Sequence, residues 1–286
     1  MTLYDIRKGY HKKICKQLLR IRKNETKGDY PNNADGDSKI SVKIAWGITN
    51  LLTNKPLYGN ISGQEAGHIF EQLTKEYIEE TFVLLQHLRP GHWKYSTHIE
   101  ISKFDQYRDL ASLDVLIKSN KELAATLGQD YLISPDIVIS REPVDDDEIN
   151  KKKVLLKRGD LSSKLTPLRK ANYSANNPIL HASISCKWTI RSDRVQNSRT
   201  EALNLIRNRK GKLPHIIAVT AEPTATRIAS LALGTGDIDC VYHFALDELK
   251  ETIIKIEDES QLEMLNTLIE GRRLRDISDL PFDLAI

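Results

Sequence analysis

The chain predicts a mixed α/β fold, a central sheet covered by helices on both sides, and three observations carry that expectation. Strand-like and helix-like patterns alternate through the second half. A long run with helical apolar spacing occupies the first half. The 286 residues suffice for one large core, and 1–286 reads as a single domain.

The elements follow in order. Residues 1–23 form a basic amphipathic helix by the spacing of Ile6, Tyr10, Ile14, Leu18 and Ile21. The polar stretch 24–37, rich in Asn, Asp and Gly, is a loop. A helix follows over about 41–52. After the glycines between 59 and 67 a second, longer one reaches about 87, where Pro90-Gly91 stops it. A strand is expected over 95–104, then helical patterns at 105–118 and 120–127. Tyr131–Ser140 is β-branched and reads as a buried strand interrupted at Pro135. Residues 141–177 are a polar excursion with a short strand at 154–156.

His181–Ile190 is a strand by alternation. Ala182, Ile184, Cys186 and Trp188 share one face, and Ser183, Ser185, Lys187 and Thr189 share the other. A helix over 198–209 ends at Gly211. Then come a strand at 215–220, a helix at 224–233 ended by the glycines of 234–236, a strand at 240–244, and helices at 245–255 and 259–271.

Composition narrows the function. The net charge of +3 is small, but from Lys187 to Lys212 eight basic residues meet only two acids. A local cationic surface suits a polyanion held in one place, although a solvated helix face is the simpler reading of the charge run alone. Cys15, Cys186 and Cys240 are too few and too scattered for a disulfide framework or a zinc module, which favours a reducing, cytoplasmic setting. The N-terminus has no signal-peptide pattern, and no run is long enough to cross a membrane. His181, His215 and His243, and Trp46, Trp93 and Trp188, read as structural residues.

The chemistry concentrates in a few residues. Asp136 follows Pro135, Lys187 comes about fifty residues later, and Glu201 stands fourteen past the lysine. Phosphodiester hydrolysis needs an activated water, neutralisation of transition-state charge and a stabilised leaving oxygen. A divalent cation held by carboxylates supplies the first two, and Mg²⁺ favours carboxylate, carbonyl and water oxygens. Ser185 and Lys187 share a strand face. Lys187 is a candidate to bring an ammonium to the phosphate. The backbone carbonyl of Cys186 and the carboxylate of Glu71, on the long helix, are further candidate ligands. Arg191, Asp193 and Arg194 follow at once. Arg bonds guanine O6 and N7 bidentately and Asp accepts from cytosine N4, so the trio suits consecutive G·C pairs. Each element alone is weak, and an Arg–Asp–Arg cluster is also a common surface salt-bridge set.

These residues resemble the CCGG-recognising type II restriction endonucleases. The resemblance rests on HASISCKWTIRSDR (181–194), RNRKGKLPHI (207–216), VTAEPT (219–224), LGTG (233–236), IDCVYHFAL (238–246) and RDISDLP (275–281). It is thinner earlier, in NADG (33–36), GQ (63–64), Gly67 with Phe70-Glu71, LQHLRPG (85–91) and the segment Leu123–Asp136. The resemblance implies a restriction-endonuclease-like, PD-(D/E)xK core. It implies an active site of Asp136, Lys187 and Glu201, completed by Ser185, the Cys186 carbonyl and Glu71, with Mg²⁺ held by Asp136, Cys186, Glu71 and Glu201. It implies that Arg191, Asp193 and Arg194 read the CCGG core of double-stranded DNA, that Asp35 and Arg227 contact the outer G·C pair, and that Gln64 approaches the minor groove. The implied target is GCCGGC, cut after the first G to leave 5′-CCGG overhangs. The implied assembly is a homotetramer holding two DNA sites, with a cognate DNA methyltransferase in the same host. An inactive, sequence-specific DNA-binding protein on a nuclease scaffold and a structure-specific nuclease are the alternatives.

Overall fold

A computed structural model describes residues 2–127, 132–172, 177–190, 192–234 and 236–286, with side chains for all of these except 123, 126, 127 and 192–195. In chain order the elements are α1 (Leu3–Gln17), β1 (Ile21–Arg22), β2 (Tyr30–Pro31), α2 (Lys39–Leu52), α3 (Gly63–Phe82), β3 (Trp93–Thr97), α4 (Asp109–Ser119), α5 (Lys121–Leu127), β4 (Ile137–Arg141), α6 (Asp146–Ile149), β5 (Ile179–Lys187), α7 (Ser192–Asn208), β6 (His215–Thr220), α8 (Ala225–Ala232), β7 (Cys240–His243), α9 (Leu246–Ile256), α10 (Glu259–Glu270), β8 (Leu274–Asp276) and α11 (Leu280–Leu284). Six strands form one mixed sheet in the order β3-β4-β5-β6-β7-β8, and β1 and β2 form a separate pair. The fold is mixed α/β with helices flanking the central sheet, as the alternation of patterns predicts.

The chain divides into two compact units. One comprises Met1–Arg89, Ile184–Ala202 and Ile216–Ile286, and the other Pro90–Ser183 and Leu203–His215. In the first unit β6, β7 and β8 are parallel, with Val219 opposite Tyr242 and Val241 opposite Leu274. Ala218, Val219, Val241 and Leu274 are almost fully buried, as apolar runs in a sheet covered on both faces should be. Helix α1 starts with a capping box between Thr2 and Asp5 and packs along α3, where Tyr10 donates to or accepts from Thr74 at 3.0 Å. Arg7 of α1 is buried and grips both Glu248 of α9 and Asp276 of β8.

In the second unit β3 and β4 pair antiparallel, with Trp93 opposite Arg141 and Thr97 opposite Ile137. Gln106 stitches a loop to β5 by donating to the Leu180 carbonyl at 2.7 Å and accepting from its N–H at 2.9 Å.

Several expectations shift. The first helix stops at Gln17, because the chain turns at Leu18–Leu19 to enter β1. The 24–37 stretch contains the β2 pairing. The 95–104 strand shortens to Trp93–Thr97, after which 3₁₀ turns at Ile101–Lys103 and Asp105–Tyr107 take over. The 131–140 strand begins only at Ile137, since Pro135 lacks the N–H a ladder needs. Tyr131 lies outside the described residues. No strand forms at 154–156. Val154 and Leu155 are exposed there, and Asn150 accepts the N–H groups of Leu155 and Leu156 in a local loop. Strand β5 ends at Lys187, short of 190. The next helix begins at Ser192, six residues before the expected start.

Candidate active site and DNA-reading cleft

Strand β5 sets the candidate catalytic side chains by alternation. Cys186 and Trp188 are buried, and Trp188 meets Phe70 of α3 edge-on, with ring centroids 5.3 Å apart. That contact fixes which face of the strand is core. Ser185, Lys187 and Thr189 are half-buried on the other side. The Ser185 hydroxyl lies 3.2 Å from the Ser198 hydroxyl on α7. Glu201 stands three residues after Ser198, one turn along the same helix face. The arrangement therefore turns Lys187 and Glu201 toward one side of β5.

The Lys187 carbonyl accepts from the Ala221 N–H at 3.1 Å and the Thr220 hydroxyl at 2.9 Å. Both groups belong to β6 or the residue after it. Adjacent residues of a strand turn their carbonyls to opposite edges, so the Cys186 carbonyl points away from β6. Glu71 is buried on α3, next to Phe70, with His68 Nδ1 3.4 Å from its Oε2. As candidate donors, the carboxylates of Glu71 and Glu201 and a backbone carbonyl are of the kind a hard divalent cation takes. The Cys186 sulfur, which would favour a softer metal, lies on the buried face. Asp136 belongs to the other unit, half-buried at the entry to β4, just after buried Pro135.

A cleft of about 730 Å³ opens in the first unit, lined by Arg22, Lys27, Asp35, Asp37, Thr189, Ile190 and Arg227 among others. Arg227 of α8 and Asp35, 192 positions apart in sequence, form an ion pair in its wall. Asp35 is held by its own N–H donating to the Ser41 hydroxyl at 2.9 Å, and it accepts from the Asp37 N–H at 3.1 Å. At Gly36 the backbone passes close to Tyr30, and a Cβ there would fall 2.6 Å from the end of that ring, which would have to move. Lys27 pairs with Asp37 across the same loop. Cations and carboxylates thus share one concave wall, the donor-acceptor mixture that base edges demand.

Gln64 is exposed on the first turn of α3. Arg191 lies outside the described residues. Asp193 and Arg194 fall in the first turn of α7 instead of the expected link between strand and helix, and their side chains are outside the described residues.

Part of the cationic run is used internally. Arg199 of α7 donates to the carbonyls of Ser230 and Leu233 at the end of α8, at 2.9 and 2.6 Å, and pairs with buried Asp237. A side chain at Gly234 would collide with that guanidinium. Lys210 pairs with Asp109.

Sequence reasoning missed Glu222. It is 1% exposed, and Oε2 accepts the Ile190 N–H at 3.0 Å. Oε1 accepts the Thr224 hydroxyl at 2.6 Å and its N–H at 3.3 Å. Burial pushes its carboxyl above the usual range, against the opposing pull of the Thr224 and Ile190 bonds and the Arg227 charge. Glu222 lies in the 219–224 block that carries the resemblance, but neither its type nor its spacing gives it a role. His243 is fully buried behind it. Its Nδ1 accepts the Ala245 N–H, so Nε2 carries the proton that goes to the Glu222 carbonyl at 3.2 Å. Burial lowers the His243 pKa to about 4.

Comparison with known proteins fits this arrangement. A family model described as NgoMIV restriction enzyme matches residues 10–286. The type II restriction enzyme NgoMIV of Neisseria gonorrhoeae is 46% identical over 285 residues, which cover 98% of this chain and 97% of that protein. The chain belongs to the NgoMIV restriction enzyme family, whose members are type II site-specific deoxyribonucleases.

Proposed function

We propose that the protein cuts double-stranded DNA at GCCGGC after the first G, leaving 5′-CCGG overhangs, by Mg²⁺-dependent phosphodiester hydrolysis. The observation that carries this reading is the Asp35–Arg227 pair in a cleft whose wall continues into the Thr189–Ile190 turn, two residues past Lys187. An arginine and an aspartate side by side match the guanine and cytosine of one G·C pair. Arg191, Asp193 and Arg194 are the proposed readers of the inner CCGG, and Gln64 the proposed minor-groove contact.

Asp136, Glu71, Glu201 and the Cys186 carbonyl are the proposed ligands. When bound there, the cation supplies a polarised water and neutralises phosphate charge. Lys187 holds its ammonium against the phosphate oxygen on which charge develops. Ser185, bonded to Ser198, steadies the strand face from which Lys187 projects. Residues 1–286 are read as one endonuclease domain, because β5 continues unbroken from one compact unit into the other.

We also propose a homotetramer binding two DNA sites. Leu161 and Leu165, 88% and 84% exposed, offer apolar contacts that suit burial against a second copy. Among the described residues no helix is long and apolar enough to cross a membrane. A cytoplasmic setting and a cognate methyltransferase that protects host sites complete the proposal.

The test is digestion of a plasmid of known sequence with Mg²⁺, followed by mapping of the ends. Lys187→Ala should retain DNA binding and lose cleavage by about 100-fold or more. Cleavage by Lys187→Ala at the parent rate would remove the catalytic assignment.

A further inference from the structure

Three segments that border the cleft converge on five residues, Thr220–Thr224. Asn33, two positions before Asp35, donates to the Ala221 carbonyl at 3.0 Å. The Lys187 carbonyl takes bonds from Thr220 and Ala221. Glu222 binds Ile190 through one oxygen and Thr224, the N-cap position of α8, through the other. Arg227 lies one turn into that helix, and its N–H donates to the Thr224 carbonyl at 3.1 Å.

The segment is itself anchored. The Thr220 carbonyl accepts the Phe244 N–H at 3.0 Å, and the Glu222 carbonyl accepts from His243. None of these bonds uses the side chain of Glu71, Asp136, Lys187 or Glu201. They set where the walls of the cleft stand relative to each other.

We propose that Glu222 is a positioning residue for sequence readout: its buried carboxylate holds the Thr189–Ile190 wall and the start of the Arg227 helix in one fixed spacing. This rests on the cleft being the DNA-reading surface. Three donors converge on the two oxygens, so both oxygens must accept. A glutamine keeps at most two of the three. With its oxygen toward Ile190, its NH₂ can donate to the Thr224 hydroxyl, which accepts as well as donates, but the Thr224 N–H then loses its acceptor and meets an N–H. The start of the Arg227 helix must shift to relieve that contact, and readers set to bond one base pair together lose register.

The experiment compares kcat/KM on a GCCGGC duplex with kcat/KM on duplexes altered at one outer or one inner base pair, for the parent and Glu222→Gln, alongside thermal melting. A purely structural role lowers the amount of folded enzyme and depresses every rate alike, leaving the ratio of cognate to altered rates unchanged. We expect that ratio to fall about tenfold in Glu222→Gln, the scale of one lost charge-assisted hydrogen bond. A ratio within about twofold of the parent in folded Glu222→Gln overturns the proposal. Should Glu222→Gln fail to fold, Thr224→Val removes only the hydroxyl donor. A severalfold drop in its ratio supports the role, and an unchanged ratio overturns it. A parent enzyme that does not discriminate between these duplexes would instead sink the underlying DNA-reading assignment.

Discussion

Replacing Arg7 by alanine tests how the first helix is tied to the sheet. Its guanidinium makes four bonds of 2.7–2.9 Å, two to Asp276 and two to Glu248, and it is 7% exposed. Asp276 also accepts from the Leu246 N–H and from Ser278. Without Arg7 a buried carboxylate loses its only cation among these partners. Breaking one side of such a pair costs about 3–5 kcal/mol, and each kcal/mol lowers the melting temperature of a chain this large by about 2–4 °C. Arg7→Ala should therefore melt roughly 6–20 °C below the parent.

The pH profile sharpens the test. Burial alone would raise the Asp276 and Glu248 carboxyls, but the Arg7 bonds more than offset it and hold both below their ordinary values. A depressed folded pKa gives stability that is present above the unfolded pKa and lost as pH falls through the folded one. The parent should thus lose this contribution below about pH 4. In Arg7→Ala burial is opposed only by the remaining Ser278 bonds at Asp276 and by His11 beside Glu248, so the carboxyls rise and acidification from neutral should recover stability. Denaturant titrations across pH measure both limbs. A loss under about 1 kcal/mol, or an acid limb identical to the parent's, would refute the reasoning.

Two other perturbations bear on the site and its support. Arg227→Ala should cost about 1–3 kcal/mol of discrimination at the outer G·C pair, read as cleavage of GCCGGC against a duplex changed there. An equal loss on both duplexes would mean that Arg227 meets only phosphate. Burial holds His243 neutral, with a pKa of about 4, below its unfolded value, so its contribution to stability is full above about pH 6.5 and falls by roughly 1.4 kcal/mol per unit as pH drops toward 4. His243→Phe should flatten that limb in denaturant titrations, and an unchanged slope would count against it.

Local pattern carried the reading of the sheet core. The alternation around Lys187 correctly assigned Cys186 and Trp188 to the buried face, and His215–Thr220 is a strand at the boundaries its composition suggests. The Ser185–Lys187 pair is legible for the same reason, since a period of two is a property of neighbours. Short elements escaped. Strand β8 has three residues, and β1 and β2 two each, too few for any periodicity to register. The start of α7 was missed because Ser192–Asn197 is polar and shows no apolar stripe. Glu222 and the Asp35–Arg227 pair were beyond local reading for another reason. Their partners lie 32 and 192 positions away, and only folding brings them together. Arg199 was grouped with the cationic surface because charge is visible in a sequence, whereas the backbone carbonyls that consume it are not.

Arg199 has a consequence for how such chains are compared. Its positive charge is spent closing the end of the helix that bears Arg227, and it rests against Gly234, which leaves no room for a side chain. Exchanging that arginine for lysine would preserve the formal charge and lose the planar fork that reaches several oxygens at once. A relative that varies here should change its glycine and its arginine together, and a tally of basic residues would register nothing.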